Sequence, residues 1–294
     1  MMKERAYLYA FGAVLAWSTV ATAFKISLRY VDYLHLLFYA SLTSSIVLFI
    51  ILFAQGKLTL LRRYSKRQYL HSLLLSALNP FLYYLILFKA YSLLPAQVAQ
   101  PLNCTWPVIL VLLSIPLLGQ KIGLREILAI LISFSGVVII GTRGDLTALK
   151  ISEPFGVALA LGSSVIWSLF WIANLRDERD EVAKLFLNFS FTFVFVLISI
   201  VLFSEIRVPH INGLIGVAYV GIFEMGITFV LWLKALKLSE TTATVSNLIF
   251  LFPFISLIFI HLILGEEILP STIAGLFLIV TGILIQRYRR TAPQ

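Results

Sequence analysis

The 294-residue chain is too apolar, and carries too few charges, for a soluble protein. Hydrophobic residues make up 60% of it and charged residues 13%, and its mean hydropathy is +0.96. A soluble domain has roughly 45–50% apolar and about 25% charged residues, so the composition indicates a polytopic membrane protein. The net charge of +9 does not indicate nucleic-acid binding, because the basic residues lie in short loops that face anionic lipid.

Breaks at charged residues, prolines and glycines predict ten helices, each close to the ~20 residues that cross a hydrocarbon core. Five lie in residues 1–150 and five in residues 151–294, which we predict to be two equivalent domains. The fold class is therefore all-α with ten transmembrane helices. Predicted helices 1 to 10 cover residues 6–26, 33–54, 69–90, 95–117, 123–142, 154–175, 182–203, 211–235, 240–264 and 268–287.

The two halves repeat the same motifs in the same order. The pattern Gly-x4-Trp-Ser at residues 12–18 returns at residues 162–168, an offset of 150. The spacing Pro-x11-Gly-x16-Gly at residues 107–136 returns at residues 253–282, an offset of 146. An odd number of spans per half would place the copies upside down relative to each other. Such a five-plus-five inverted repeat is typical of transporters, whose halves rock around a central site.

The Lys and Arg residues test the helix count independently. With both termini in the cytoplasm, 17 of the 23 lie on the cytoplasmic side and 6 outside. The positive-inside rule favours this orientation, and a miscounted helix would scramble the asymmetry. We therefore expect a multi-pass protein of a bacterial inner membrane, present as a monomer or homodimer in the lipid bilayer.

Glu224 in predicted helix 8 is the clearest polar residue at membrane depth, roughly 15 Å along the helix from Lys234. An offset of 145 pairs it with Asn79 in predicted helix 3, just before Pro80. Polar groups at this depth are costly and usually face a cavity or another helix. The pair indicates a substrate or proton site. The other interpretation is a protonated Glu224 that holds helices together.

Predicted helices 4 and 9 combine polar residues with proline, which is tolerated in a bilayer only where the freed backbone groups find partners. Pro107 and Pro253 are predicted to supply bends that let each half rock as a unit. Gln100 and Asn103 are candidates for orienting a substrate, although polar residues of this kind also join helices. The turn at residues 265–267, with two glutamates, is expected to be solvated.

Aromatic residues within the predicted helices are candidates for a cavity wall. They are Trp17, Tyr83, Tyr84, Trp106, Trp167, Trp171 and Trp232. Trp17 and Trp167 are predicted near mid-helix and are related by the repeat, whereas most Trp residues lie in the interfacial belts. Tyr83 and Trp106 lie on the predicted helices that carry the polar candidates. Aromatic walls around a few polar groups suit a ligand with a flat apolar part and one polar or charged end.

The helix count, the Gly-x4-Trp-Ser motifs and the Pro-x11-Gly-x16-Gly spacing together resemble the drug/metabolite transporter superfamily with its EamA-type repeat, over essentially the whole chain. Within it the chain looks most like the YddG-type aromatic amino acid exporters of bacteria. The resemblance implies a central cavity between helices 1, 3, 4, 6, 8 and 9. At matching helices and depths it points to Trp17, Asn79, Tyr83, Trp106, Trp167 and Glu224.

These observations predict a secondary transporter that exports small metabolites by alternating access, with aromatic or large neutral amino acids as first candidates. A multidrug or cationic-compound exporter is the alternative in the same class, because Glu224 among aromatic residues also suits a lipophilic cation. A non-transporting scaffold or receptor is the alternative outside it. The sequence shows no catalytic triad, metal-spaced His/Cys cluster or phosphate loop, so no enzyme activity, cofactor or metal is expected.

Overall fold

The structure is a computed structural model that describes residues 2–118, 123–145, 153–174, 177–238, 248 and 251–287. The described part is helical and contains no strand. Its helices include five that are long and apolar enough to cross a membrane, which identifies a multi-pass membrane protein. These five are Arg5–Ser27, Tyr33–Ala54, Lys66–Leu93, Glu181–Phe203 and Ile211–Trp232.

The first part of the chain forms eight α-helices in the described residues, and local capping sets the starts of two of them. Asp32 accepts hydrogen bonds from two backbone N–H groups at the start of α2, and Ser65 with Gln68 forms a capping box at the start of α4. The helices are α1 (Met2–Ser27), α2 (Tyr33–Ala54), α3 (Leu58–Arg63), α4 (Lys66–Ser76), α5 (Tyr83–Leu93), α6 (Ala96–Asn103), α7 (Trp106–Leu118) and α8 (Leu124–Gly141).

The second part forms six helices in the described residues. Asp180 caps α10 through the backbone N–H groups of Val182 and Ala183. Most of the first half of predicted helix 9 lies outside the described residues. The helices are α9 (Pro154–Asn174), α10 (Glu181–Phe203), α11 (Ile211–Tyr219), α12 (Thr228–Leu238), α13 (Phe252–Phe259) and α14 (Pro270–Arg287).

The core lies between α2, α5 and α10, where Leu36, Leu48, Tyr84, Phe88 and Phe189 are fully buried. The opposite faces of several helices are apolar but exposed. A soluble protein rarely exposes so much contiguous apolar surface, so these faces fit a lipid surround. Examples are Phe49, Phe53, Ile198, Phe203, Ile215 and Phe277.

The short helix α3 lies within residues 55–68, which the sequence predicts as a loop. Leu58 and Leu61 lie on one face and pack, partly buried, against the core, whereas Arg62 and Arg63 belong to the last turn. The many basic residues of this segment made the helical spacing of Leu58 and Leu61 difficult to recognise in the sequence. The prediction of a helix-free loop was therefore wrong here.

Predicted helices 3 and 8 each contain a wide segment. The first is a kink in which Asn79 has extended backbone angles, and the second is π-helical. The first wide turn, Ala77–Leu82, joins α4 to α5, and the second wide turn, Val220–Ile227, joins α11 to α12. Because the ring nitrogen of Pro80 has no hydrogen to donate, the carbonyl of Ser76 needs another partner. The hydroxyl of Thr192 in α10 donates to it at 3.3 Å.

Predicted helix 4 is not one bent helix but two, α6 and α7, separated at Cys104 and Thr105. The interruption follows from Pro107, which leaves the carbonyl of Asn103 without its usual helical donor. The hydroxyl of Ser164 in α9 donates to this carbonyl at 2.8 Å. A neighbouring helix therefore satisfies the freed backbone group, as a membrane interior requires.

The serines of the two Gly-x4-Trp-Ser motifs make matching contacts with the other half of the chain. Ser168 donates to the carbonyl of Trp106 at 2.9 Å, and Ser18 donates to the carbonyl of Phe252 at 3.3 Å. Trp106 and Phe252 each directly precede one of the predicted hinge prolines and differ by the same offset of 146. Each motif thus binds the backbone at an equivalent position in the opposite half.

Helices α8 and α14 pack closely along small residues. The Cα of Gly136 faces the carbonyl of Gly275, and that of Gly282 faces the carbonyl of Ala129, so a side chain at either glycine would collide with the opposing backbone. The two contacts are also related by the offset of 146. Small residues let helix backbones approach each other in this way.

The glutamate turn at residues 265–267 is more than the solvated turn expected from the sequence. The carboxylate of Glu266 accepts from the backbone N–H groups of Ala96 at 2.9 Å and Gln97 at 3.2 Å, at the start of α6. The side chain of Gln97 donates to the carbonyl of Glu267 at 2.7 Å. Because a carboxylate stabilises the positive end of a helix, this turn caps α6 from the other half of the chain.

An ion-pair cluster ties the loop before α10 to the α2–α4 region. Lys57 bonds Asp180 at 2.7 Å, and Arg179 bonds Asp177 at 2.7 Å and the carbonyl of Gln68 at 3.0 Å. Burial opposes ionisation of Asp177, but the hydrogen bonds and charge of Arg179 outweigh it. The pKa of that carboxyl is therefore held below its usual value.

Candidate functional site

Glu224 lies in the second wide turn with only 7% of its surface exposed. The hydroxyl of Tyr84, on α5, donates to its Oε1 atom at 2.9 Å. The indole of Trp17 lies close to the carboxyl group, but the Oε2 atom has no hydrogen-bond partner of good geometry among the described residues. A buried carboxyl oxygen without a partner is costly, so this atom is available to a ligand or a proton.

Aromatic rings from four helices form a connected group beside this carboxyl group. The ring of Phe229 on α12 lies 6.0 Å from that of Trp17 on α1 and 5.9 Å from that of Trp167 on α9. Tyr83 on α5 lies 4.8 Å from Trp167 and 4.7 Å from Tyr84. We call these five residues the aromatic cluster. The structure thus brings the predicted Trp17, Tyr83 and Trp167 together beside Glu224.

Asn103 connects the aromatic cluster to the interrupted helix. Its amide nitrogen donates to the hydroxyl of Ser163 on α9 at 2.8 Å, and its Oδ1 atom accepts from the hydroxyl of Tyr83 at 3.4 Å. Asn103 is the last residue of α6 and is partly exposed. Its position at the interruption, between α5 and α9, places a polar amide next to the predicted site.

Gln100 lies on the same helix, three residues before Asn103, and residues at this spacing share a helix face. Only 4% of its surface is exposed, and its Oε1 atom has no hydrogen-bond partner in the described part of the chain. The predicted pair of Gln100 and Asn103 therefore lies on one side of α6. The amide of Asn103 is hydrogen-bonded to Ser163, whereas the Oε1 atom of Gln100 has no hydrogen-bond partner among the described residues.

Asn79 and Trp106 make no hydrogen bond to Glu224 among the described residues. Asn79 is 3% exposed and has extended backbone angles (φ −149°, ψ 122°) inside the first wide turn. Trp106 opens α7, and its carbonyl accepts from Ser168. The offset that pairs Asn79 with Glu224 does match the two wide turns, but no hydrogen bond joins the two side chains in the described part of the chain.

The structure describes the predicted hinge residues Pro107 and Pro253 to different extents. Pro253 is buried at the second position of α13, and proline is well tolerated in the first turn of a helix because its missing N–H would be unpaired there anyway. The backbone of Pro107 lies at the second position of α7, just after the interruption, and its side chain lies outside the described residues. Both prolines therefore stand near helix starts.

The sequence did not single out Phe229 and Ser163, and it gave Tyr84 only within the wider set of candidate aromatic residues. Ser163 is inside the repeated motif at residues 162–168, which was a usable signal. Phe229 gave none, because the wide turn next to it changes which face of the helix it occupies. In the described part of the chain, no three His, Cys, Asp or Glu side chains gather as a metal site would require.

Comparison with known proteins shows that the chain matches a transporter family. The model of the EamA-like transporter family matches residues 4–142 and 154–287. The chain is 27% identical over 224 residues to the uncharacterised transporter YvbV of Bacillus subtilis (strain 168), covering 74% of this chain and 71% of that one. It is 24% identical to an uncharacterised transporter of Archaeoglobus fulgidus, covering 100% and 99%.

Two further similarities concern substrate and fold. The chain is 28% identical over 156 residues to the aromatic amino acid exporter YddG of Ancylobacter novellus, covering 52% of this chain and 53% of that exporter. A crystal structure with 22% sequence identity superposes with a TM-score of 0.66, covering 98% of this chain and 99% of the other. This last likeness shows a shared fold alone.

Proposed function

Because the chain belongs to the EamA-like transporter family, we propose that it is a secondary transporter exporting aromatic or large neutral amino acids across a bacterial inner membrane. The observation that carries the proposal is the buried Glu224 carboxyl, bonded by Tyr84 and surrounded by the aromatic cluster. A carboxylate beside aromatic faces attracts an ammonium group, and the rings accommodate a flat apolar side chain. The similarity to a YddG exporter over about half of the chain favours the same substrate class.

The proposed architecture is an inverted pair of five-helix domains, residues 1–150 and 151–294, with ten spans and both termini in the cytoplasm. The matching serine contacts onto Trp106 and Phe252, and the matching glycine contacts of α8 and α14, support it. A site between two such halves can be exposed to alternate sides when they rock. Pro107 and Pro253 act as the bends that each half needs.

In the proposed mechanism, the aromatic cluster holds the apolar side chain of the substrate, and Trp106 extends its wall. Glu224 pairs with the ammonium and takes a proton when the site is empty, because an ionised carboxylate without a partner is costly in a membrane. Gln100, Asn103 and Asn79 orient the polar end of the substrate. A proton and a substrate thus compete for one carboxyl group.

Export of lipophilic cations is the second candidate function. It is favoured by one observation: among the described residues, the hydrogen-bond donor to the Oε1 atom of Glu224 is the neutral hydroxyl of Tyr84 and not a Lys or Arg side chain. A cation without a carboxylate needs no basic partner in its site. A scaffold or receptor without transport activity is the third.

Counterflow in proteoliposomes separates these functions. Vesicles loaded with unlabelled tryptophan should accumulate labelled tryptophan, and vesicles loaded with tetraphenylphosphonium should not accumulate the labelled cation. Exchange of the cation alone would replace the proposed substrate class with the second candidate. Exchange of neither these compounds nor any large neutral amino acid, compared with protein-free vesicles, would contradict transport of both classes.

A further inference from the structure

We propose that Lys25 and Glu266 form an outer gate, which keeps the binding site closed towards the outside by holding the turn between α5 and α6. The inference rests on the proposed function and deepens it, because it names contacts that must break when the site opens outward. The outer gate consists of these two charged residues and of the turn at Leu94 and Pro95. In the proposed orientation, this end of the protein faces away from the cytoplasm.

The helices that border the site pack into two groups. Helix α9 packs against α5, α6 and α7, whereas α1 packs against α11, α12 and α13. The aromatic cluster lies where the groups meet, because Trp17 and Phe229 belong to the α1 group and the other three rings belong to the α9 group. A motion that exposes this site to one side of the membrane separates the two groups at that side.

Lys25 lies in the last turn of α1 and bonds the end of α5 across this boundary. Its Nζ atom donates to the carbonyls of Tyr91 at 2.9 Å and Leu94 at 3.0 Å. The carbonyl of Tyr91 needs such a donor, because its usual helical partner would be the N–H group that Pro95 lacks. A positive charge is also favourable at the C-terminal end of a helix.

Glu266 bonds the start of α6, on the other side of the turn. Its carboxylate accepts from the backbone N–H groups of Ala96 and Gln97. It follows the segment Ile260–Leu264, which continues α13 and packs against α1. The side-chain oxygen of the buried Gln97 accepts from the N–H group of Leu269 at 3.0 Å. Lys25 and Glu266 therefore place opposite charges on the two helix ends that the turn joins.

Aromatic packing fills the boundary just inside the outer gate. The ring of Phe24 on α1 lies 4.7 Å from that of Phe88 and 5.2 Å from that of Tyr91, both on α5. All three side chains are buried. Lys25 follows Trp17 by eight residues, roughly 12 Å along α1. The outer gate therefore closes the boundary about two helical turns away from the aromatic cluster.

Opening outward has to break the four hydrogen bonds that the charged groups of Lys25 and Glu266 make with the backbone. Hydrogen bonds to ionised groups are about twice as strong as neutral ones. Removing either charge should therefore lower the ratio of closed to open molecules by about tenfold. Because this equilibrium sets how often the path is exposed, a residue beneath the gate should become accessible from the outside by the same factor.

Thr22 is a suitable reporter of opening. It lies three residues before Lys25, on the same face of α1, and only 3% of its surface is exposed. Right-side-out membrane vesicles that contain Thr22→Cys are treated with a membrane-impermeant maleimide, and labelling of the buried Cys104 is subtracted with protein that lacks Thr22→Cys. Lys25→Met and Glu266→Gln should each raise the rate of modification by about tenfold. Unchanged protection in both variants would overturn the proposal.

Matched substitutions at the same end of the protein serve as controls. Lys89→Met removes a charge near the end of α5 that lies over the ring of Tyr33 on α2 and not against the gate. Glu267→Gln changes the exposed neighbour of Glu266. Both should leave Thr22→Cys protected. If either control raised the rate as much as the gate variants do, the effect would belong to any charge at this end, which would contradict the proposal.

A second cysteine separates opening of the gate from misfolding. Ser41 is fully buried on α2, away from the outer gate, so Ser41→Cys should stay unreactive in the Lys25→Met and Glu266→Gln proteins. Reaction there as well as at Thr22→Cys would indicate a general loss of packing and would overturn the proposal. Lys25→Arg keeps the positive charge and its donors, and it should therefore keep Thr22→Cys protected.

The labelling experiment needs no substrate, so the outer gate and the proposed function can fail separately. If Thr22→Cys becomes accessible in the gate variants but no amino acid exchanges in counterflow, the gate stands and the proposed substrate class is wrong. If tryptophan exchanges but the gate variants leave Thr22→Cys protected, this inference alone fails.

Discussion

The first and second wide turns interrupt their helices in different ways, because only the first contains an extended residue, Asn79. The first, Ala77–Leu82, follows from Pro80, and Thr192 of α10 satisfies a carbonyl that the proline leaves free. The second, Val220–Ile227, contains no proline. There Ser44 of α2 donates to the carbonyl of Met225 at 2.8 Å.

The side chains at the two turns differ as well. The first turn presents a neutral amide, Asn79, which makes no hydrogen bond to Glu224 or the aromatic cluster in the described part of the chain. The second presents Glu224, which Tyr84 bonds from across the core. The comparison teaches that a wide turn does not by itself determine which side chain is presented to a ligand. In the proposed site, the specificity for the substrate comes from Glu224 in the second wide turn.

Removing the carboxylate of Glu224, in the second wide turn, is expected to have the largest effect on transport. Glu224→Gln should lower tryptophan counterflow by about 100-fold, because a desolvated partner of the ammonium is lost. Asn79→Ala at the first wide turn should lower it by less than about tenfold. Binding to the native protein should weaken as the pH falls from 8 to 5, since protonation neutralises the carboxylate, whereas binding to Glu224→Gln should not vary.

Glu153→Gln, an identical change at an exposed position, serves as the control and should transport like the native protein. Native-level transport by Glu224→Gln at every pH from 5 to 8 would remove Glu224 from the mechanism and make the two wide turns functionally equivalent.

A smaller effect is expected from the packing of the second wide turn on α2. A Cβ atom at Gly221 would lie 2.6 Å from the carbonyl oxygen of Ala40 and 2.6 Å from the Cβ of Thr43. Gly221→Ala should therefore destabilise the protein by about 1–3 kcal/mol, measured as a lower thermal midpoint in detergent. Gly162→Ala in α9, where no atom lies within 4 Å, should leave the midpoint unchanged or raise it. Equal midpoints would show that the turn does not need this close approach.

The smallest effects concern the hydroxyl groups that satisfy the two turns. Thr192→Val and Ser44→Ala each remove one hydrogen bond to a backbone carbonyl and should cost about 1 kcal/mol of stability. The comparison predicts a difference in function: Ser44→Ala should also weaken tryptophan binding, because its turn carries Glu224, and Thr192→Val should not. If Thr192→Val weakened tryptophan binding more than Ser44→Ala does, the first wide turn and not the second would be the one that supports substrate binding.

Much of the helical framework was predictable because its signals are local. The predicted limits of residues 33–54 match α2, and those of 182–203 differ from α10 by one residue, since an Asp caps each of these helices. Trp17, Tyr83, Trp167 and Glu224 could be chosen as candidates because polar or repeated aromatic residues within apolar helices are uncommon, and their role in binding stays a prediction. α3 and the division of predicted helix 4 were missed.

By itself, then, the sequence determined the apolar composition, the repeated motifs and the residues that are unusual at membrane depth, because each of these depends on neighbours along the chain. Only the tertiary structure decided which of them meet. The bond from Tyr84 to Glu224 joins residues 140 positions apart, and Ser164 satisfies a carbonyl 61 positions away. Such partners depend on how helices pack and on where a turn widens, and a widened turn rotates every side chain that follows it.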